Sequence, residues 1–397
     1  MKNTIVDFLD LGNQPLANSY IESKNINKKE RKYRLIICFN KNNKLVSIKN
    51  TFSSKDMFDD HYPYRSSTSK TMSLHLKKLA QNIKKIKPKK ILEIGSNDGC
   101  FIKNFGRKKT IGVEPCSNVE KITKKQKYNT YPEYWSSKLA KKILKKHKKV
   151  NLIFSSNTIS HIENLDEVFK AINIILDDKG IFIIEDPSLL ECLKKNTYDQ
   201  FYNEHICVFS YLSLSNALKK HNLEIFKIEE LKIHGGSNRY FIKKIKNNIK
   251  LHKSVNFHEN KEEKYGLKNL KTYIDFAKRV KSSKNKLLSI FKNCKKNNKK
   301  VIGYGATAKS VTILNYCNIN NSMIDYFVDT THDKQNKFTP GTKILIKRDT
   351  DLINDKVDYV FLGAWNFKKE IFNKEKKYIK NGGKFIIHTP YPKIISK

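Results

Sequence analysis

Paired cysteines are missing from this chain of 397 residues. Its seven cysteines, Cys38, Cys100, Cys116, Cys192, Cys207, Cys294 and Cys317, form no C-x-x-C pair. That argues against a disulfide framework and a zinc knuckle, and it suits a reducing compartment. Long apolar runs are missing too, and none reaches the roughly 20 residues of a membrane span. The opening "MKNTIVDFLDLG" carries acids where a signal peptide would be apolar. The expectation is a soluble, cytoplasmic protein. Acidic residues are scarce: 38 Asp+Glu stand against 79 Lys+Arg, a net charge of +41. Such an excess could serve an anionic partner, whether nucleic acid, a membrane surface or a phosphorylated small molecule. The lysines are spread along the chain, however, and asparagine and isoleucine are abundant beside them. Solvated lysine from compositional drift accounts for this better than a dedicated surface. Neither nucleic acid nor membrane is expected as a partner.

What is present suffices for packed cores: 39% hydrophobic and 11% aromatic residues. The length implies two or three domains. Residues 1–80 read as a small module of short strands and turns. After Lys87-Pro88, strands alternate with helices: "KKILEIGSNDG", "KTIGVEPC", "VNLIFSSNTISHIEN", a helix-like "LDEVFKAINIILDDKG" and "GIFIIEDPS". This alternation predicts a doubly wound parallel α/β sheet, closed by an antiparallel pair within residues 219–244. The first α/β domain is placed at 81–248 and a helical linker at 249–295. A second, smaller Rossmann-like α/β domain follows at 296–397, beginning "KKVIGYGATAKSVTILNYC".

Several motifs carry chemistry. Glu93, Gly95, Asn97, Asp98 and Gly99 follow a strand and open a helix, so backbone amides there can meet a polar or anionic group. No Gly-Lys-Ser/Thr follows, which excludes a Walker loop, and the spacing is not G-x-G-x-x-G. Glu114 ends the next strand, about twenty residues past the loop, where an acid can hold ribose hydroxyls. Asn157 and His161 lie past the third strand, at the edge facing the ligand crevice. No Asn/Asp-Pro-Pro-aromatic motif stands there, which argues against methylation of a nucleic-acid base. Gly303, Gly305 and Ala308 fit a loose dinucleotide fingerprint, with Asp329 at the end of the next strand. Holding the nucleotide half of a substrate, or close helix packing, suits this better than a second cofactor. The stretch "YDQFYNEHICVFS" places Tyr202, Glu204 and His205 at the same edge. A carboxylate can orient a histidine and stabilise its imidazolium, and a tyrosine can donate to an oxyanion. The trio suits removal of a proton beside a carbonyl, unless it is a surface helix start with chance polar residues.

These segments together resemble the S-adenosylmethionine-dependent sugar-nucleotide C-methyltransferases, which methylate a carbon of NDP-4-keto-deoxysugars. "FLDLGNQPLANSY", "YPYRSSTSKTM", "LEIGSNDG", "GVEP", "SNTISHIEN", "YDQFYNEH", "HGGSNRYF", "GYGATAKSVTILNYC" and "KFTPGT" occur in the family's order. The resemblance implies a class I methyltransferase domain between a small N-terminal module and a C-terminal domain that helps hold the nucleotide-sugar. It implies S-adenosyl-L-methionine as cofactor, at Glu93, Gly95, Asn97, Gly99, Glu114 and Asn157. It makes His205 the base, flanked by Glu204 and Tyr202, with Tyr64 and His161 lining the sugar site. A monomer is expected. The sequence departs from the family at the zinc module: no C-x-x-C precedes "LDLG", and Asn40 and Asn43 stand where a second pair would. No metal is expected. An N- or O-methyltransferase of another small molecule would need the same cofactor loop without an enolising base, and a nucleic-acid methyltransferase would bind DNA or RNA with steep salt dependence.

Overall fold

The computed structural model describes residues 4–60, 62–348 and 356–396. Three sheets organise them. The first is antiparallel, in the order Ile5–Pro15, Lys32–Asn40, Val46–Ile48 and Cys207–Val208. Leu35, Ile37 and Phe39 alternate along one strand, so their side chains share its buried face. The ring of Phe39 stacks 4.3 Å from that of Tyr273, on the long helix Leu270–Lys296.

The second sheet has the order Leu223–Leu231, Ser237–Lys244, Leu176–Pro187, Val150–Ser156, Ile91–Ile94, Thr110–Val113, Asn129–Tyr131. Its last five strands are mutually parallel and the pair from 223 to 244 closes one edge antiparallel. All four residues of Ile91–Ile94 are buried, because a parallel strand covered on both faces has no solvent side. The chain leaves that strand first toward Thr110–Val113 and later returns on its other flank at Val150–Ser156. A crevice opens at such a reversal, outside the strands' carboxyl ends.

The third sheet repeats this logic. Val301–Tyr304 lies between Tyr326–Val328 and Tyr359–Leu362, all parallel. At its far edge, Lys337–Phe338 pairs with Ile21–Glu22 from the N-terminal region. Cys207–Val208, just after His205, pairs with Val46–Ile48 of the first sheet. The N-terminal region therefore contributes an edge strand to one sheet and receives an edge strand from another segment. Unpaired strand edges gain partners this way.

Two expectations about secondary structure need correction. Residues 1–80 are more than short strands and turns, since Ile5–Pro15 is 11 residues long and the helix Lys70–Lys85 starts there. That helix buries Met72, Leu76, Leu79, Ala80 and Ile83 on one stripe, and the Ser69 side chain caps its start. The helix expected through residue 180 stops at Ile175. Leu176 pairs with Val150, and the ladder to the neighbouring strand takes over the backbone.

Candidate active site

The cofactor loop lies at the carboxyl end of Ile91–Ile94. Gly95 has φ +71°, and a Cβ there would stand 2.1 Å from Thr158 Oγ1, so only glycine fits. Asn97 and Asn157 also take left-handed backbone, at φ 47° and 50°. Strain of this kind collects at functional sites. The Asn97 side chain ties the loop to residues 64–66, accepting from the Ser66 amide (2.9 Å) and donating to the Tyr64 carbonyl (3.3 Å). Glu114 accepts the amides of Asn97 (2.9 Å) and Cys116 (3.0 Å). Buried oxygens of Glu93 and Asp98 have no hydrogen-bond partner among the described residues. Burial pushes the Glu93 carboxyl well above the usual carboxylate range, and Glu114 also upward.

His205 stands across the cavity from this loop. Its Nδ1–H donates to the Gln200 carbonyl (2.8 Å), which leaves Nε2 as the basic nitrogen, accepting from the Tyr202 hydroxyl (2.8 Å). Burial, with help from the neighbouring His161 and Lys309, pushes its pKa well below 6.5, so the imidazole is neutral. His161 stacks on it at 5.0 Å and on Phe58 at 5.6 Å. Burial lowers the pKa of His161 to about 4. Glu204 accepts from Asn18 Nδ2 (2.5 Å) and from the Tyr62 hydroxyl (3.4 Å), and burial raises its pKa to about 7. The sequence suggests a carboxylate orienting the histidine. The structure gives that task to the Gln200 carbonyl and the Tyr202 hydroxyl.

One cavity of about 480 Å³ is lined by Tyr64, Glu93, Gly95, Asn97, Glu114, Asn157, His161, Tyr202, Glu204 and His205. Gly99 is not among its lining residues. A Cβ there would lie 2.9 Å from Thr123 Cγ2, so its absence lets the loop pack on the helix Ser117–Lys125. Tyr64 stands at the rim, 41% exposed. The same cavity brings in Asn18, Tyr62, His234, Lys309 and Lys334, which sequence reasoning assigned no role. Four of them lie in segments that match the family, Asn18 in "PLANSY", Tyr62 in "YPYR", His234 in "HGGSNRYF" and Lys309 in "GYGATAKS", whereas Lys334 lies outside the matching segments.

Family models match three successive parts: a putative zinc binding domain at residues 2–58, a methyltransferase domain at 64–228 and a C-methyltransferase C-terminal domain at 232–390. The C-methyltransferase NovU of Streptomyces niveus is 27% identical, over 98% of this chain and 94% of its own. The chain is an S-adenosylmethionine-dependent methyltransferase, similar along nearly its whole length to a C-methyltransferase. Its central domain has the class I methyltransferase fold. Among solved structures, a possible histamine N-methyltransferase from Thermotoga maritima is 21% identical, covering 43% of this chain and 86% of its own at a TM-score of 0.32. Magnesium protoporphyrin IX methyltransferase from Synechocystis, with bound cofactor, is 7% identical, covering 43% and 77% at the same score. Overlaps this loose say nothing about substrate.

S-adenosylmethionine is the cofactor, and the site's own atoms fit it. Glu93 presents an unmatched buried oxygen on the cavity wall, where a cationic group would favour its ionised form, and Gly95 lets a ligand approach the backbone. Zinc, by contrast, does not fit the N-terminal region. Cys38 is the one cysteine between residues 2 and 58. Its buried thiol donates to the Ser47 carbonyl (3.3 Å), and burial pushes its pKa up. The turn after it is closed by Asn40, whose Oδ1 accepts the amides of Asn42 (2.9 Å) and Asn43 (3.2 Å). Among the described residues, no three His, Cys, Asp or Glu side chains are grouped to hold a metal.

Proposed function

We propose that this methyltransferase acts on an NDP-4-keto-deoxysugar, by removing a proton beside the ketone and methylating the resulting carbon. The observation that carries the reading is His205, a buried neutral imidazole whose basic Nε2 shares one cavity with the cofactor loop. Nitrogen and oxygen acceptors already own a lone pair, whereas carbon acquires one only when a base takes its proton. In this reading the Tyr202 hydroxyl, now donating to Nε2, yields its place to the substrate and turns toward the ketone. Glu204 and Tyr62 bind sugar hydroxyls, while His161 packs against the base and keeps it dry. Glu93, Gly95, Asn97, Glu114 and Asn157 hold S-adenosylmethionine, which supplies an electrophilic methyl group. Gly99 supports that loop from behind.

The proposed division is a small module at 1–80, a methyltransferase domain at 81–248, a helical linker at 249–295 and a nucleotide-sugar-binding domain at 296–397. Its support is the second α/β crevice at Val301–Tyr304, which opens on the same cavity through Tyr304, Gly305 and Thr307. Mass spectrometry of products from a panel of NDP-4-keto-sugars tests the proposal. A methylated carbon, with solvent deuterium entering beside the ketone when the methyl donor is left out, is the expected result. Methyl transfer to oxygen or nitrogen without such exchange would refute it.

A further inference from the structure

Three lysines from the C-terminal region, Lys309, Lys334 and Lys374, line the cavity. Lys334 Nζ donates to the Ala306 carbonyl (2.9 Å) and lies 3.6 Å from Asp329 Oδ2. Lys309 is 9% exposed, yet among the described residues its Nζ has neither a hydrogen bond nor an ion pair. It is the second residue of the helix Ala308–Cys317, whose N-terminus faces the same cavity. Trp365 is its aromatic neighbour, with Nζ 5.4 Å from the ring centroid. That contact covers one side of the ammonium and leaves its N–H donors unmet.

The position of Lys309 is built rather than incidental. Trp365 Nε1 donates to Asp199 Oδ2 (2.5 Å), within the segment that leads to His205. Gly235 makes room for the indole, since a Cβ there would lie 2.2 Å from its ring. The lysine's charge reaches the reaction centre, because it helps push down the pKa values of both His205 and His234. Burial pushes the pKa of Lys309 down, and the one carboxylate that favours its ammonium, Asp199, makes no ion pair with it and is engaged by Trp365 and His388. A ligand that brings a negative oxygen into the cavity would offset the cost of that burial.

We infer that Lys309 is a catalytic residue, whose ammonium holds the ketone oxygen of the substrate and stabilises the negative charge that arrives there. The inference rests on the enolisation reading above. The C–H bond beside the ketone breaks, its proton goes to His205 Nε2, and its electron pair forms the C=C bond. The carbonyl π pair moves onto oxygen, against the Lys309 ammonium. When the carbon takes the methyl group, the oxygen's pair restores C=O, and sulfur keeps the electrons of the broken C–S bond as a thioether. Fixed charge aimed at such an oxygen acts in the transition state more than in the ground state. The diphosphate of a nucleotide-sugar is the competing anion for this lysine.

The test uses Lys309→Met, which keeps the side chain's length, and Lys309→Arg, which keeps its charge. Calorimetry measures S-adenosylhomocysteine and, as probes of the nucleotide, dTDP, UDP, GDP and CDP. Deuterium wash-in and methyl transfer are followed at saturating sugar. The expectation is affinities within about threefold of wild type, and wash-in and transfer both down by roughly two to three orders of magnitude in Lys309→Met, the usual worth of one oxyanion donor. Lys309→Arg should retain more of both. Unchanged wash-in in Lys309→Met beside an active wild type would overturn this inference alone. So would lost nucleoside-diphosphate affinity with wash-in intact at saturation, which assigns the lysine to phosphate. If Lys309→Met fails to bind S-adenosylhomocysteine, Lys309→Arg decides, and full loss of wash-in there with cofactor affinity retained counts against a charge-based role. A wild type that neither exchanges nor methylates any of the panel defeats the enolisation reading, and this inference with it.

Discussion

Replacing His205 separates catalysis from scaffold. His205→Ala removes two buried hydrogen bonds, one to the Gln200 carbonyl and one from the Tyr202 hydroxyl. At about 0.5–1.5 kcal/mol each, their loss costs about 1–3 kcal/mol of stability, and the lost stacking on His161 adds to it. That lowers the melting temperature, and a protein of ordinary stability still folds. The chemical loss is larger, since a positioned general base is worth roughly two to four orders of magnitude, or about 3–5 kcal/mol at about 1.4 kcal/mol per decade. His205→Gln keeps more of the volume and some hydrogen bonding, yet it has no basic nitrogen, so it should regain stability without regaining rate. The assay pairs methyl transfer with deuterium wash-in beside the ketone, and both should fall together because they share one deprotonation. Glu204→Gln should do less harm, since the Glu204 carboxylate is held by Asn18 and Tyr62 and takes no part in orienting the imidazole. Tyr202→Phe should fall between the two. Full methylation by His205→Ala, with the cofactor bound normally, would refute the assignment and point to His161.

Glu114→Ala should weaken S-adenosylhomocysteine by about 10–100-fold in calorimetry, the loss of one or two charge-assisted hydrogen bonds; unchanged affinity would remove Glu114 from the cofactor site. Burial holds His161 at a pKa of about 4, so between pH 6.5 and 4 the unfolded chain binds a proton that the native state refuses. This contribution is full above pH 6.5 and lost as pH falls, by about 3 kcal/mol in all. Glu204, raised to about 7, acts oppositely and weakens the native state as pH rises from 4.5 to 7. Urea unfolding at pH 4.5, 5.5 and 6.5 should therefore show a smaller acid loss for His161→Phe, which keeps the stacking, and an equal loss in both proteins would refute the linkage. Elemental analysis of untagged protein should find zinc well below one per chain; a stoichiometric tetrahedral zinc would show that the donor set at the N-terminal region has been misread.

Local chemistry decided much of this protein from sequence alone. Parallel strands buried on both faces read as short apolar runs, so Ile91–Ile94 and Val301–Tyr304 were visible with the glycine turns that follow them. The order of nine motifs carried the family, and most of the residues they nominated meet in one cavity. Tertiary structure decided what depends on distant partners. The end of the helix at Ile175 follows from pairing between Leu176 and Val150, which a local period cannot register. Gly99 belongs to helix packing because Thr123 stands behind it. The orientation of His205 comes from a carbonyl, and a backbone acceptor leaves no trace in residue identity. Asn18 reaches Glu204 across 186 residues, and Ile21–Glu22 and Cys207–Val208 each finish a sheet built elsewhere in the chain. Lys309 was one lysine among many until the fold buried it without an ion pair on the cavity wall, because burial and pairing are properties of three-dimensional neighbours.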